Sequence, residues 1–307
     1  LLPVLWCFGA IYYDGPFPGT GNLVLGILWL SLLAGLLFRA RSGRERWISL
    51  AGALALVLVP WSFKKPSNDR DWAPEYARTA GATVDGDTVT FTNFRNFDYS
   101  MDGTVTERWE TRTVHLSKLR GIDFFLNYWG CPLIAHPIFS FDFGDEGHVA
   151  FSIETRREKG EAYTTDGGLY KLYELAYLVG DERDFVRVRT NIRKDEDAYL
   201  FRLAATPEKA RERFLEYVKQ IQELEKKPRF YNVITANCTT AVSSQIQMER
   251  KALPDWRLLI NGKLDEMFAE LGLFAVKDMS LTELKERGHV DERALEAQDD
   301  PDFSRKI

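Results

Sequence analysis

The sequence is poor in the residues that build metal and cofactor sites. Its three cysteines include no Cys-x-x-Cys pair, and its four histidines are scattered, so no Cys/His cluster has zinc-ligand spacing. No metal site and no cofactor are expected. The 22 glycines are dispersed and form neither a dinucleotide-binding nor a P-loop pattern. Net charge is −5, without a basic stripe interleaved with aromatics, which makes nucleic acid an unexpected partner. Internal repeats and low-complexity segments are also missing. What the chain does have is unevenly placed: most uninterrupted apolar sequence lies before Pro66 and most charge after it. That split indicates a membrane part and a water-soluble part.

Within residues 1–65, two runs carry no charge and no polar face: residues 22–38 and 47–63. Each reads as a transmembrane helix at the short end of the usual length, and residues 1–13 as part of another. Trp29, Trp47 and Trp61 are candidate interfacial anchors. Arg39, Arg41, Arg44 and Arg46 separate the two runs, whereas residues 14–21 hold no Lys or Arg. The positive-inside rule sets the arginine loop in the cytoplasm and everything after Pro66 in the periplasm of a bacterial inner membrane. No cleavable signal pattern is visible, so the expectation is a tethered rather than a secreted protein.

Residues 66–307 read as one α+β domain, an antiparallel sheet with helices packed on it. Period-2 alternation marks strands over 87–94, 105–116, 137–143, 148–154, 172–179 and 185–190. Residues 144–147 (Gly-Asp-Glu-Gly) join the third and fourth of these into a hairpin. Thr206 and Pro207 open a helix carrying Phe214, Val218, Ile221 and Leu224, which Pro228 ends. Asn237 is placed to cap a second helix over 238–246. From about residue 282 the chain reads as a loosely packed tail.

Cys238 is the chemistry-bearing residue with the clearest setting. A thiol in the first turn of a helix meets unpaired N–H groups, which lowers its pKa and favours thiolate. The alternative is an inert, buried thiol, and a Cys131–Cys238 disulfide would remove the nucleophile altogether. Cys7 reads as a small apolar filler. A thiol nucleophile needs a base and the base needs an orienting group. His136 precedes one hairpin strand and Glu154 ends the other, so both fall at one end of the ribbon. There a carboxylate can fix the imidazole tautomer. His148 falls at the opposite end, beside the turn. His115 and His289 receive no role.

These residues sit in motifs that resemble the Lnb N-terminal periplasmic domain family. They are residues 68–72 (Asn-Asp-Arg-Asp-Trp), 93–97 (Asn-Phe-Arg-Asn-Phe), Ala135 and His136 with Phe139, Ser140 and Phe141, residues 152–161, and Tyr231 and Asn232 with residues 237–240 (Asn-Cys-Thr-Thr). The His-to-Cys order also resembles the circularly permuted branch of the papain-like, NlpC-type superfamily, to which the lecithin:retinol acyltransferases belong. The resemblance implies a permuted papain-like fold, with Cys238 as nucleophile, His136 as base and Glu154 as third member. It further implies Tyr231 as a donor to the developing oxyanion beside the Cys238 backbone N–H, with Asn237 and Thr239 as positioning residues.

By the same resemblance the expected activity is lipid-acyl transfer. Cys238 would take an acyl chain from a phospholipid as a thioester and pass it to the α-amine of a lipoprotein. Cleavage of peptidoglycan peptides is the alternative activity, and a non-catalytic envelope module the alternative from another class. In the acyltransferase that the family name denotes, the periplasmic domain precedes the membrane helices; here the helices come first. Arg95, Arg156 and Arg157 are candidate binders of a phosphate or carboxylate head group, because guanidinium forks suit such anions; structural ion pairs are the alternative.

Overall fold

The computed structural model describes residues 1–100, 102–193, 195–239, 255–258 and 260–307. The chain opens with three helices, α1 (Leu2–Asp14), α2 (Thr20–Arg39) and α3 (Gly43–Phe63). The last two are long and apolar enough to cross a membrane, with mean hydropathy of 2.1 and 1.5. Large apolar side chains such as Val24, Ile27, Leu28, Ile48, Leu56 and Val59 face outward, as in a helix surrounded by lipid. Trp29 differs from the expected anchor. It is buried, and its Nε1 donates to the Ala53 carbonyl at 2.9 Å, stapling α2 to α3.

The soluble part is built on an eight-stranded sheet. Its strands are β1 (Gly81–Asp85), β2 (Thr88–Arg95), β5 (Trp109–His115), β6 (Gly121–Trp129), β7 (Ala135–Asp142), β8 (His148–Arg156), β9 (Glu174–Gly180) and β10 (Glu196–Arg202). A separate two-stranded ribbon joins β3 (Asp98–Tyr99) to β4 (Val105–Thr106). The main order is β1-β2-β9-β8-β7-β6-β10, with β5 also on β2. Pairing is antiparallel except for one parallel contact, Arg95 with Gly180, so the sheet is mixed. The class is α+β, as the alternating pattern predicts.

Helices cover both faces. On one, α5 (Pro207–Lys226) lays Ala210, Phe214, Tyr217, Val218, Ile221 and Leu224 against the sheet. Phe214 meets the rings of Phe91, Phe141, Phe143 and Phe151 at 5.0–5.9 Å. Truncation of such a residue costs about 3–5 kcal/mol. The predicted cap is present: Thr206 Oγ1 accepts from the Lys209 N–H at 3.4 Å, with Pro207 in the first turn. The other face packs α4 (Glu182–Arg187) with Trp72, Tyr76 and the C-terminal residues.

Two expectations are corrected. Residues 185–190 are not a strand. Asp181 caps α4 by accepting from the Arg183 N–H at 3.0 Å, and the helix continues as a π-helical turn over Val188–Ile192. The segment from about 282 is not a loose tail. The helices α7 (Leu281–Gly288), α8 (Asp291–Glu296) and α9 (Phe303–Lys306) follow α6 (Leu264–Glu270), and Val290, Ala294, Ala297 and Phe303 are buried against the sheet. The Val290 N–H donates to Ala198 of the edge strand β10 at 3.0 Å. Of the helix expected over 238–246, Cys238 and Thr239 are helical and the remainder lies outside the described residues.

The soluble part is fastened to the helices at the end away from the arginine loop. Asp14 accepts from Lys64 Nζ at 2.8 Å, from Trp61 Nε1 at 2.6 Å and from the Lys171 N–H at 2.9 Å. Lys171 Nζ returns to the Trp61 and Lys64 carbonyls. Tyr170 lies against the rings of Tyr13 and Trp6, and the Tyr13 hydroxyl donates to Asp166.

Candidate active site

The site grows from the β7–β8 hairpin. Ile138 pairs with Ser152, and two residues further along this register His136 stands opposite Glu154 on the same face of the sheet. His136 Nε2 lies 2.7 Å from Ser152 Oγ and 3.1 Å from Glu154 Oε1. Ser152 Oγ donates to Glu154 Oε1 at 2.6 Å. With its proton committed to the carboxylate, the serine oxygen accepts from His136 Nε2–H. The lone pair of the imidazole is then on Nδ1. The hairpin and the shared end were legible in sequence. Ser152 as the link between the two residues was not singled out, although period 2 from Glu154 points to it.

Glu154 is also held from the other side. The π-helical turn brings Arg189 Nη2 to 3.0 Å from Glu154 Oε1, and Arg189 Nη1 donates to the Phe185 carbonyl at 2.7 Å. Burial alone would raise the Glu154 pKa, but His136, Arg189 and the Ser152 hydrogen bond outweigh it and hold the carboxyl well below its usual range. Glu154 is therefore an anion at neutral pH.

Cys238 comes from the loop after α5. Asn232 Oδ1 accepts from the Ile234 and Thr235 N–H groups, both at 3.0 Å, to close a turn. Asn237 Oδ1 then accepts from the Thr239 N–H at 2.9 Å and from Thr239 Oγ1 at 2.7 Å, the capping geometry expected of it. Asn261 Nδ2 approaches Cys238 Sγ at 3.9 Å, while Asn261 Oδ1 accepts from the Ala135 N–H at 2.9 Å. Asn261 thus ties the thiol to the start of β7, beside His136. No sequence signal marked it.

The thiol departs from expectation in one respect. Burial, then the nearby Glu154 charge, push the Cys238 pKa up to about 12, although the Asn261 amide and the backbone N–H groups of Cys238 and Thr239 act the other way. Desolvation outweighs the helix-start effect. Among the described residues no hydrogen bond joins Cys238 to His136. All three cysteines are free, so Cys131 and Cys238 are not bridged.

One cavity of about 890 Å³ is lined by Cys238, His136, Glu154, Tyr231, Asn237 and Thr239 together. Burial, with Cys238 close by, keeps the Tyr231 phenol protonated and able to donate. Of the three arginines expected to bind a head group, Arg157 lines the cavity, where it donates to the Tyr76 hydroxyl at 2.9 Å. Arg95 and Arg156 do not line it. Arg95 is locked in a two-pronged pair with Asp184 at 2.8 and 2.9 Å. Arg156 stacks on Trp72 and bonds Tyr76, Asn68 and Thr79. Arg189 and Arg193 line the cavity instead. His148 lies at the far end of the hairpin, its Nε2 3.9 Å from Asp142 Oδ1.

Residues 105–262 match the family model of the Lnb N-terminal periplasmic domain. No curated protein and no solved structure is significantly similar to the chain. The match spans half of the chain and takes in His136, Glu154 and Cys238; the chain belongs to this family.

Proposed function

From membership of the Lnb N-terminal periplasmic domain family, we propose that the protein is a membrane-anchored, cysteine-dependent acyltransferase of the permuted papain-like type. Cys238 is its nucleophile, His136 its base and Glu154 its orienting carboxylate. The periplasmic family and the apolar N-terminal helices fit an envelope protein anchored in a membrane; the inner membrane is the one proposed. The observation that carries the reading is continuity between cavity and anchor. Tyr163 and Thr165 wall the cavity, and the same segment runs on to Asp166, Tyr170 and Lys171, which grip the outer ends of α1 and α3. A lipid ester at the membrane surface is thereby held near the thiol at high effective concentration.

The chemistry follows from the site. Cys238 Sγ attacks the ester carbonyl of a phospholipid as His136 Nδ1 takes the thiol proton. Coupling proton loss to attack suits a thiol whose resting pKa is high. The oxyanion is met by the Cys238 N–H and the Tyr231 hydroxyl. The C–O bond breaks, His136 protonates the departing lysolipid oxygen, and an acyl thioester remains. The α-amine of a lipoprotein then attacks the thioester, its proton passes through His136 to the leaving sulfur, and an amide forms. Glu154 steadies the imidazolium in both halves, while Arg157, Arg189 and Arg193 line the side suited to an anionic head group.

The test is to incubate the purified full chain in detergent with phospholipid and to seek a mass increase of one acyl chain on Cys238. An adduct that is missing in Cys238→Ala supports the reading. Cleavage of muropeptides without any adduct would replace it with the amidase reading, and an unchanged cellular phenotype of Cys238→Ser would leave a non-catalytic module.

A further inference from the structure

The face of the sheet that carries His136 and Glu154 at one end carries a second polar cluster at the other. Asp123 of β6 pairs with Ser140 of β7, and Ser140 with Ala150 of β8. Asp123, Ser140 and His148, two residues before Ala150, therefore project from one face. Glu182, the first residue of α4, comes down on this face. One donor atom each from Asp123, His148 and Glu182 lies within 4.8 Å of the other two. Asp123 and Glu182 are 7% and 2% exposed, and His148 is half-buried.

Two oxygens here are buried without a hydrogen-bond partner among the described residues, Glu182 Oε2 and Ser140 Oγ. Such atoms are costly unless something binds them. Arg202 Nε meets one oxygen of Asp123 at 2.8 Å. No comparable cation is bonded to Glu182 among the described residues. We propose that Asp123, His148 and Glu182 form a binding site for one divalent transition-metal cation of the zinc class. One imidazole nitrogen and two carboxylates suit such an ion, whereas calcium calls for six or more oxygens. With Arg202 already paired to Asp123, the Glu182 carboxylate is the charge left without a counterion among the described residues, and the cation supplies one. Ser140, paired with Asp123 on the same face, adds a hydroxyl with no hydrogen bond among the described residues beside the cluster.

The ligands are 25 and 34 positions apart, so spacing along the chain does not reveal them. The consequence for the fold is mechanical. The metal pins the first residue of α4 to the sheet, and the same helical stretch ends in the π turn that holds Arg189 on Glu154. Asp197, His289 and Asp291 also cluster within 4.8 Å. That group is more open to solvent and has no buried, unbonded atom. It serves as the internal control.

The experiment is calorimetric titration of Zn²⁺ into the full chain, in detergent and stripped with EDTA, with the visible spectrum of added Co²⁺ as a second readout. One Zn²⁺ per chain is expected, with affinity lowered at least about 100-fold in His148→Ala and in the isosteric Glu182→Gln, and unchanged in His289→Ala. Zn²⁺ should also raise the Tm of the parent protein and not that of Glu182→Gln. Absence of saturable binding in the parent overturns the proposal. So does undiminished affinity in Glu182→Gln, which carries the test if His148→Ala fails to fold. Loss of binding in His289→Ala alone assigns the metal to the exposed group and overturns it equally.

Discussion

The helical stretch 182–192 makes two buried carboxylate–guanidinium pairs, and they come to opposite ends. Asp184 is saturated. It accepts from Arg95 Nε and Nη2 at 2.9 and 2.8 Å, from the Phe97 N–H at 2.8 Å and from the Tyr99 hydroxyl at 3.0 Å. The Arg95 guanidinium is covered by the rings of Phe97 and Phe185. Five residues on, Arg189 gives Glu154 one bond at 3.0 Å, and its Nε stands 3.7 Å from Glu196 Oε2, both atoms without a hydrogen bond among the described residues. The first pair faces only protein; the second faces a cavity that also holds a thiol and an imidazole. A buried ion pair does not in itself mark a site. Spare bonding capacity turned toward a space with a nucleophile does.

The comparison breaks most visibly at Asp184. Asp184→Asn leaves Arg95 as a buried charge without its counterion, a loss of about 3–5 kcal/mol. Denaturant unfolding measures it, and molecules that fold should keep their acyl-transfer rate. The reverse pattern is expected at the open site. His136→Ala should cut turnover by about 10²–10⁴-fold, the usual contribution of a positioned general base, with a far smaller change in unfolding free energy. If Asp184→Asn abolishes turnover in folded protein, or His136→Ala leaves turnover intact, the division between structural pair and site collapses. Normal turnover in His136→Ala would remove His136 as the base; His148, at the far end of the hairpin beside Asp142, is too remote from the cavity to replace it.

The next effect is a pH dependence, and its sign follows from Glu154. The folded-state pKa of this carboxyl is depressed by His136, Arg189 and Ser152 against the opposing effect of burial. A depressed carboxyl adds stability above its unfolded pKa of about 4.3 and loses that stability as pH falls toward the folded value. Glu154→Gln, with no carboxyl to protonate, should show a shallower fall of Tm than the parent below about pH 4.5. Parallel acid limbs in the two proteins would mean that the pairing contributes nothing to the folded state.

What the sequence made legible were features whose cause is local. The Thr206 and Pro207 cap, the Gly144–Gly147 turn and the placement of His136 across from Glu154 rest on neighbours along the chain or on period 2. Reading failed where the cause is tertiary. Phe185, Arg187 and Arg189 alternate with Val186 and Val188 as in a strand, yet Asp181 and packing against β8 make the stretch helical. Strand β6 went unread because it is buried on both faces, Asp123 and Asn127 included, and shows no alternation. Arg95 and Arg156 have the guanidinium fork that suits an anion, but the residue type does not say whether that fork is already spent on a structural partner. Asn261 and Arg189 reach the site from distant segments, and only the folded chain brings them there.

The smallest effect sharpens the comparison most, because it opposes the direction of catalysis. With its pKa at about 12, Cys238 should react with iodoacetamide roughly 100-fold more slowly than a free cysteine at about pH 7.5. That figure combines the lower thiolate fraction with the higher intrinsic nucleophilicity of a more basic thiol. Burial is the first cause of the high pKa and the Glu154 charge the second. Glu154→Gln removes the second, so alkylation should speed up by less than about tenfold while acyl transfer slows. Opposite changes mean that Glu154 disfavours the isolated thiolate yet serves turnover by steadying the imidazolium, which forms only as His136 takes the proton. If Glu154→Gln slows alkylation as well, the resting enzyme already holds a thiolate–imidazolium pair, and the coupled proton transfer assigned to His136 is wrong.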